Sequence, residues 1–185
     1  MRTKKSLRQE MKALLSAQSM EERDAKSRVI HKKLFQTPVF KNAGTVCFYV
    51  SLPMEVNTHP MIEESLRLGK RVLVVLVDLE NKELKLKEIR DFKKDLAPGV
   101  LGILEPVPQT KTAELREAQC VIVPGLVFDP KGYRLGRGGG YYDCFLKTLP
   151  PKVATIGLAF SFQVLPEIPL QDHDSAVQIV LTEKS

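Results

Sequence analysis

The sequence predicts an α/β fold in which helices cover both faces of a β-sheet. Two observations lead there. Runs such as Arg71-Val-Leu-Val-Val-Leu-Val-Asp78 and Cys120-Val-Ile-Val-Pro124 are continuously apolar rather than alternating, which marks strands buried on both faces. Segments with helical spacing of apolar residues separate these runs. With 185 residues, 43% apolar and 27% charged, the chain suits one soluble domain with a sizeable core.

The elements follow in order. Leu7, Met11, Leu14 and Leu15 recur at helical spacing. Ser19 and Glu22 form the pattern of a capping box and open a second helix. That helix carries Val29, Ile30 and Leu34 on one side and ends near Phe35, before Pro38. Thr45-Val-Cys-Phe-Tyr-Val50 reads as a buried strand. The loop Ser51–Thr58 leads to a helix with Thr58 as N-cap, Pro60 in its first turn and Gly69 as its C-terminal stop. Residues 71–78 and 84–90 read as strands. Residues 91–112 are loop-rich, with Pro98, Gly99, Gly102, Pro106 and Pro108. Strands at 120–124, 153–159 and 176–181 follow, with a helix at 141–148.

In such folds ligands bind at the carboxyl ends of the strands. The loops after Val50, Val123 and Ala159 all leave strands at that edge and are expected to meet in one cleft.

Composition excludes several classes. No apolar stretch approaches the roughly 18 residues of a membrane span. The N-terminus lacks the apolar segment of a secretory signal, and Glu10, Glu21 and Glu22 interrupt the basic character expected of a transit peptide. Cys47, Cys120 and Cys144 form no CxxC pair, so neither a zinc knuckle nor a disulfide framework is indicated. A reducing, cytoplasmic location is the expectation. The net charge of +6 lies within residues 1–35, which hold ten Lys/Arg and four Asp/Glu; the remainder holds eighteen of each. That surplus fits a small polyanionic ligand, a nucleic acid or a solvated helix face.

Five of eleven glycines fall in Gly132-Tyr-Arg-Leu-Gly-Arg-Gly-Gly-Gly-Tyr-Tyr-Asp143. Clustered glycines beside Arg134 and Arg137 suggest backbone N–H groups approaching an anion, and Asp143 can serve a metal ion. The run matches neither GxGxxG nor the GxxxxGK[ST] phosphate loop.

Together with Pro124-Gly-Leu-Val-Phe-Asp129 before it, the run resembles the signature of the 5-formyltetrahydrofolate cyclo-ligase family. Lys4-Lys-Ser-Leu-Arg8 resembles that family's basic N-terminal motif, and Glu55 and Asp172-His-Asp174 follow in the family's order.

The resemblance implies a three-layer α/β/α fold with a mostly parallel sheet, in one domain over 1–185: helices in 1–35, sheet core in 45–185. It implies conversion of 5-formyltetrahydrofolate, with or without a polyglutamate tail, to 5,10-methenyltetrahydrofolate, with ATP as co-substrate and Mg²⁺. The formyl oxygen attacks the γ-phosphate, and the neighbouring folate nitrogen then closes the ring as phosphate leaves. Lys4, Lys5, Ser6, Leu7, Arg8, Arg134, Leu135, Gly136, Arg137, Gly138, Gly139, Gly140, Tyr141 and Tyr142 are the implied ATP contacts. Val50, Glu55, Arg137, Gly138, Gly139, Gly140 and Tyr141 are the implied folate contacts. Arg137 and Tyr141 are the implied catalytic residues, and Asp143 and Asp174 the implied metal ligands. Leu7, by its apolar character, also suits the core.

Two departures stand out. Some relatives have lysine where this chain has Gly139, and some have an acid near Gln178. A monomer that binds neither nucleic acid nor membrane is expected. The competing readings are a nucleic-acid-binding module, which lacks an RNP motif and leaves the glycines unexplained, and a sugar-phosphate or CoA-handling protein of similar fold.

Overall fold

The computed structural model describes residues 2–99, 103–172 and 174–184; Gly102 and His173 lie outside them. The first helix, α1 (Lys4–Ala17), starts at Thr3, whose hydroxyl accepts from the Ser6 N–H while Ser6 Oγ accepts from the Thr3 N–H. Leu7, Met11 and Leu15 are buried at one-turn intervals, but Leu14 lies off that stripe and is 44% exposed. The predicted Ser19/Glu22 capping box opens α2 (Met20–Gln36). Its buried face is Ser27, Ile30 and Leu34, whereas Val29 turns outward. Pro38 ends the helical run as expected and at once begins the short α3 (Pro38–Asn42), because proline suits a first helical turn.

A seven-stranded sheet forms the middle layer. Strand β1 (Thr45–Phe48) lies between β2 (Arg71–Asp78) and β7 (Cys120–Val123); β10 (Ala154–Leu158) and β11 (Ile179–Leu181) continue beyond β7. These five strands are parallel. On the other side β3 (Glu83–Ile89) pairs antiparallel with β2, and β6 (Thr112–Ala113) pairs antiparallel with β3. The loop-rich stretch also holds a small hairpin, β4 (Leu96–Pro98) with β5 (Leu104–Pro106), in which prolines sit at strand ends. Helix α4 (His59–Arg67) links β1 to β2, and Gly69 follows it with φ of +75°, as the C-terminal stop requires. Strand β11 begins later than expected, because Ala176 bridges Tyr133 instead of joining the sheet.

Alternate side chains of the central strands feed two cores. Val46, Phe48, Val72, Val74 and Ile122 pack with α1 to α4; Cys47, Leu73, Val121 and Val123 pack with Phe145 of α5 (Tyr141–Thr148). The result is a single three-layer α/β/α domain, and the N-terminal helices are part of it rather than an appendage. Among the described residues no helix is long and apolar enough to cross a membrane.

Phe128 belongs to β8 (Val127–Phe128), which pairs antiparallel with β9 (Arg134–Leu135). Its ring is fully buried. A Cβ on Gly125 would lie 2.6 Å from it and one on Gly157 2.5 Å, so both glycines are there to admit the ring. Phe128→Ala is expected to cost about 3–5 kcal/mol in urea denaturation, the cost of an unfilled aromatic cavity.

The three thiols divide by burial. Cys47 and Cys120 are buried and Cys144 is exposed. Burial pushes the Cys47 thiol far above its ordinary range and Cys120 up to about 12. A chromogenic disulfide reagent at pH 8 should therefore titrate one thiol rapidly in the native protein and three in denaturant.

Candidate active site

The glycine block is not one loop. Its first part is the β8–β9 hairpin, whose turn is closed by Asp129: Oδ1 accepts from the N–H groups of Lys131 (3.0 Å) and Tyr133 (2.9 Å). The hairpin pairs Arg134 with Phe128 and sends the guanidinium inward, where its side chain is 1% exposed. Residues 136–140 then cross to α5. Gly138 has φ of +113° and Gly140, the residue capping α5, has φ of +72°. No side chain caps this helix, so its positive end faces the glycine segment.

These parts line a cavity of about 330 Å³ at the carboxyl edge of the sheet. Lys4 and Arg8 of α1 form one wall, Glu55 another, and residues 134–143 the floor and rim; Gln171 and Asp174 close a side. Arg8 Nε donates to the Gly136 carbonyl (2.9 Å), tying α1 to the glycine segment. The Ser51–Thr58 and 124–140 loops meet here as expected. The loop after Ala159 reaches the cavity as well, through Gln171 and Asp174. It also supports the floor from behind, where Gln163 Nε2 donates to the carbonyls of Gly125 and Leu126, 3.0 Å each.

Three cation–carboxylate pairs dominate the electrostatics. Lys4 Nζ lies 2.5 Å from Asp174 Oδ2, Arg134 3.2 Å from Asp143 Oδ1, and Arg137 2.9 Å from Glu55 Oε1. Burial pulls the Arg134 guanidinium below its ordinary value, opposed by Asp143, Tyr142 and Asp174. Its Nε is buried and finds no partner among the described residues, and its Cζ lies 5.5 Å from the centre of the Tyr142 ring. Tyr142 is half-buried, and desolvation of its hydroxyl raises the phenol well above the usual range and keeps it neutral.

The Ser51–Thr58 loop is held at its neck. The Thr58 N–H donates to Ser51 Oγ (3.1 Å), and the Ser51 N–H to Thr58 Oγ1 (3.0 Å). Thr58 thus closes the loop instead of capping α4 through its side chain. The Asn57 N–H donates to Ser27 Oγ (3.0 Å) and Arg23 donates to the Pro53 carbonyl, pinning the loop to α2.

Of the residues singled out from sequence, Lys4, Arg8, Glu55, Arg134 to Asp143 and Asp174 line the one cavity. Lys5 points to solvent, Ser6 closes the start of α1, Leu7 is 2% exposed in the core, and Val50 packs half-buried against that core. None of these four lines the cavity. His31 pairs with Glu64 (2.9 Å) and His59 Nε2 faces the Ser51 carbonyl (3.2 Å), both away from it. Sequence reasoning missed Gln171, which supports Lys4 (3.0 Å), and Val77 and Leu84, which give the cavity an apolar side. The signal for the last two was their position near the carboxyl end of β2 and the start of β3.

Asp143 and Asp174 suit magnesium as hard oxygen donors on the same cavity. Each already faces a cation, and no group of three or more His, Cys, Asp or Glu stands together among the described residues. An ion held here would take its remaining ligands from phosphate oxygens and water.

A Cβ on Gly140 would meet nothing within 4 Å, so its cost is backbone strain alone. Gly140→Ala should lower stability by about 1–2 kcal/mol in urea denaturation, with secondary structure retained by circular dichroism.

Residues 1–183 match the 5-formyltetrahydrofolate cyclo-ligase family. The mouse (Mus musculus) 5-formyltetrahydrofolate cyclo-ligase is 30% identical, over 98% of this chain and 94% of its own. The solution structure of the Aquifex aeolicus 5,10-methenyltetrahydrofolate synthetase is 33% identical and superposes with a TM-score of 0.86, over 98% of this chain and 90% of that one. The Mycoplasma pneumoniae 5,10-methenyltetrahydrofolate synthetase, 23% identical, shares the fold with a TM-score of 0.79 over 97% and 98%. The geometry and the sequence therefore agree: this chain belongs to the 5-formyltetrahydrofolate cyclo-ligase family of enzymes.

Proposed function

We propose that this protein converts 5-formyltetrahydrofolate to 5,10-methenyltetrahydrofolate, consuming ATP with Mg²⁺ and releasing ADP and phosphate. Family membership and the names of the relatives support the folate conversion. The observation that carries the ATP reading is the convergence of Lys4, Arg8, Arg134 and Arg137 with the glycine segment on a cavity that also presents Glu55.

A formyl amide oxygen is a poor leaving group, so phosphorylation makes ring closure feasible. The formyl oxygen forms a bond to the γ-phosphorus as the β,γ-bridging P–O bond breaks and ADP leaves. The second folate nitrogen then attacks the formyl carbon and loses its proton, and the C–O bond breaks to release phosphate. The protein's part is to align the reactants and offset charge. Residues 136–140 offer backbone N–H groups without side chains between the two ligands. Arg137 and Lys4 neutralise charge on the phosphates, and Tyr141, at the start of α5, positions the reacting oxygen. Glu55 accepts hydrogen bonds from the aminopyrimidine edge of the pterin, with Val50 behind it as packing. Magnesium, held by Asp143 and Asp174, would offset further phosphate charge.

Of the ATP contacts proposed from the N-terminal motif, Lys4 and Arg8 act directly on this reading, which their presence on the cavity lining supports. Lys5, Ser6 and Leu7 contribute by shaping the helix that carries them. Three free cysteines suit the reducing cytoplasm.

Purified protein with 5-formyltetrahydrofolate, ATP and Mg²⁺ should develop the near-ultraviolet absorbance of the methenyl product, and an absence of ATP-dependent change in folded protein would refute the proposal. Arg137→Ala should lower kcat/KM for ATP by about tenfold or more. Lys111→Ala, on the exposed approach to β6, should leave it unchanged.

A further inference from the structure

The Glu55–Arg137 pair joins two parts of the site that differ in freedom. Glu55 sits on the Ser51–Thr58 loop, which is closed at its neck and pinned to α2. Its side chain is only 15% exposed. Each of its oxygens already accepts a hydrogen bond: Oε2 from the Leu52 N–H (3.0 Å) and Oε1 from Arg137 (2.9 Å). Arg137 stands between Gly136 and Gly138, with its side chain 40% exposed and its backbone flanked by residues of wide conformational range.

On the reading proposed above, these two groups belong to different substrates. Arg137 serves the phosphates and Glu55 the pterin edge. Arg137 occupies Oε1, the oxygen that the loop's own backbone leaves open to a ligand, and a guanidinium held on a carboxylate is withheld from phosphate. The two engagements compete with the ion pair and not with each other.

We propose that Glu55 and Arg137 hold each other in the free protein and exchange partners on binding. Nucleotide phosphate draws Arg137 off Glu55, and the freed Oε1 then accepts the pterin. Each substrate removes an obstacle to the other, so the two bind with positive coupling, and reciprocally so. The pinned loop is the fixed side of this exchange and the glycine segment the moving side. The inference rests on the ATP- and folate-binding reading and adds to it a coupling between the two substrates.

The test is calorimetric titration with the magnesium complex of a non-hydrolysable ATP analogue, with and without 5-formyltetrahydrofolate. In the wild-type protein the folate should tighten nucleotide binding about two- to fivefold, the size set by a partly exposed ion pair. Without folate, Glu55→Gln should bind the nucleotide about two- to fivefold tighter than wild type, although it turns over more slowly. Its amide oxygen can keep the Leu52 bond, which preserves the loop. Glu55→Asp retains the charge but withdraws the carboxylate by one methylene and should tighten binding similarly. Tightening in Glu55→Gln alone would reflect loss of a negative charge near a polyanion and would overturn the exchange. Normal nucleotide binding in wild type, unchanged in both variants, overturns the exchange alone. Wild-type protein that binds no nucleotide overturns the ATP reading and the exchange with it.

Discussion

The site depends on where one phenyl ring is seated. Phe128 has glycine on either side of its ring, one in the segment leaving β7 and one in β10, and neither position has room for a methyl group. That close fit seats the β8–β9 hairpin on the sheet, with the Leu165 N–H donating to the Phe128 carbonyl (2.9 Å) to hold it from the other edge. Register does the rest. Because Phe128 lies opposite Arg134, fixing the ring fixes the base of the arginine. The glycine segment therefore begins from a defined point, although it has little side-chain packing of its own.

Burying Arg134 so completely carries an electrostatic cost that its neighbours offset. Desolvation disfavours the guanidinium, and Asp143, the Tyr142 oxygen and Asp174 counter it. The same economy recurs at Lys4 with Asp174 and at Arg137 with Glu55. A cavity lined by four cations and no anions would repel itself as the chain folds. Interleaved carboxylates make the site foldable and remain compatible with the proposed nucleotide, because a trianionic or tetra-anionic ligand outcompetes a single carboxylate. The basic surplus of the N-terminal segment is explained in part this way, since Lys4 and Arg8 turn into the cavity rather than outward.

Much of the architecture was legible because the signals were local. Arg71–Asp78 is continuously apolar and Tyr141–Thr148 follows a run of glycines, so both elements emerge with the expected ends. Ser19 and Glu22 state a helix start in two residues. What escaped detection depended on partners distant in the chain. Leu14 and Val29 fit a helical period, but only the packed structure says which edge of the apolar stripe meets the sheet. Thr58 has the chemistry of an N-cap, and its hydroxyl is taken instead by Ser51 and Tyr49, across the neck of its own loop. The β8–β9 hairpin was hidden by its glycines, which read as a loop. At the site, charged and glycine residues announced themselves, whereas Val77 and Leu84 look like any other strand residues until the cavity is seen beside them.

Stiffness and freedom are distributed over the site in a way that suits two-substrate chemistry. The proposed transfer of a γ-phosphoryl group to a formyl oxygen requires one substrate to be held still while the other is adjusted against it. The Ser51–Thr58 loop has its main chain tied at both ends and its middle fastened to α2, so Glu55 can serve as a fixed reference. The main chain of residues 136–140 is tied by the hairpin on one side and α5 on the other, with Arg8 gripping the Gly136 carbonyl at its start, and the Arg137 side chain is held by Glu55 alone among the described residues. Room for adjustment is therefore confined to Arg137 through Gly140. Adding a Cβ at Gly139 would press on the Tyr141 ring at 2.7 Å, so in this chain the glycine there also preserves the setting of Tyr141. On the proposed reading the glycines act less as a passive cradle than as the adjustable half of a clamp whose other half is the Glu55 loop.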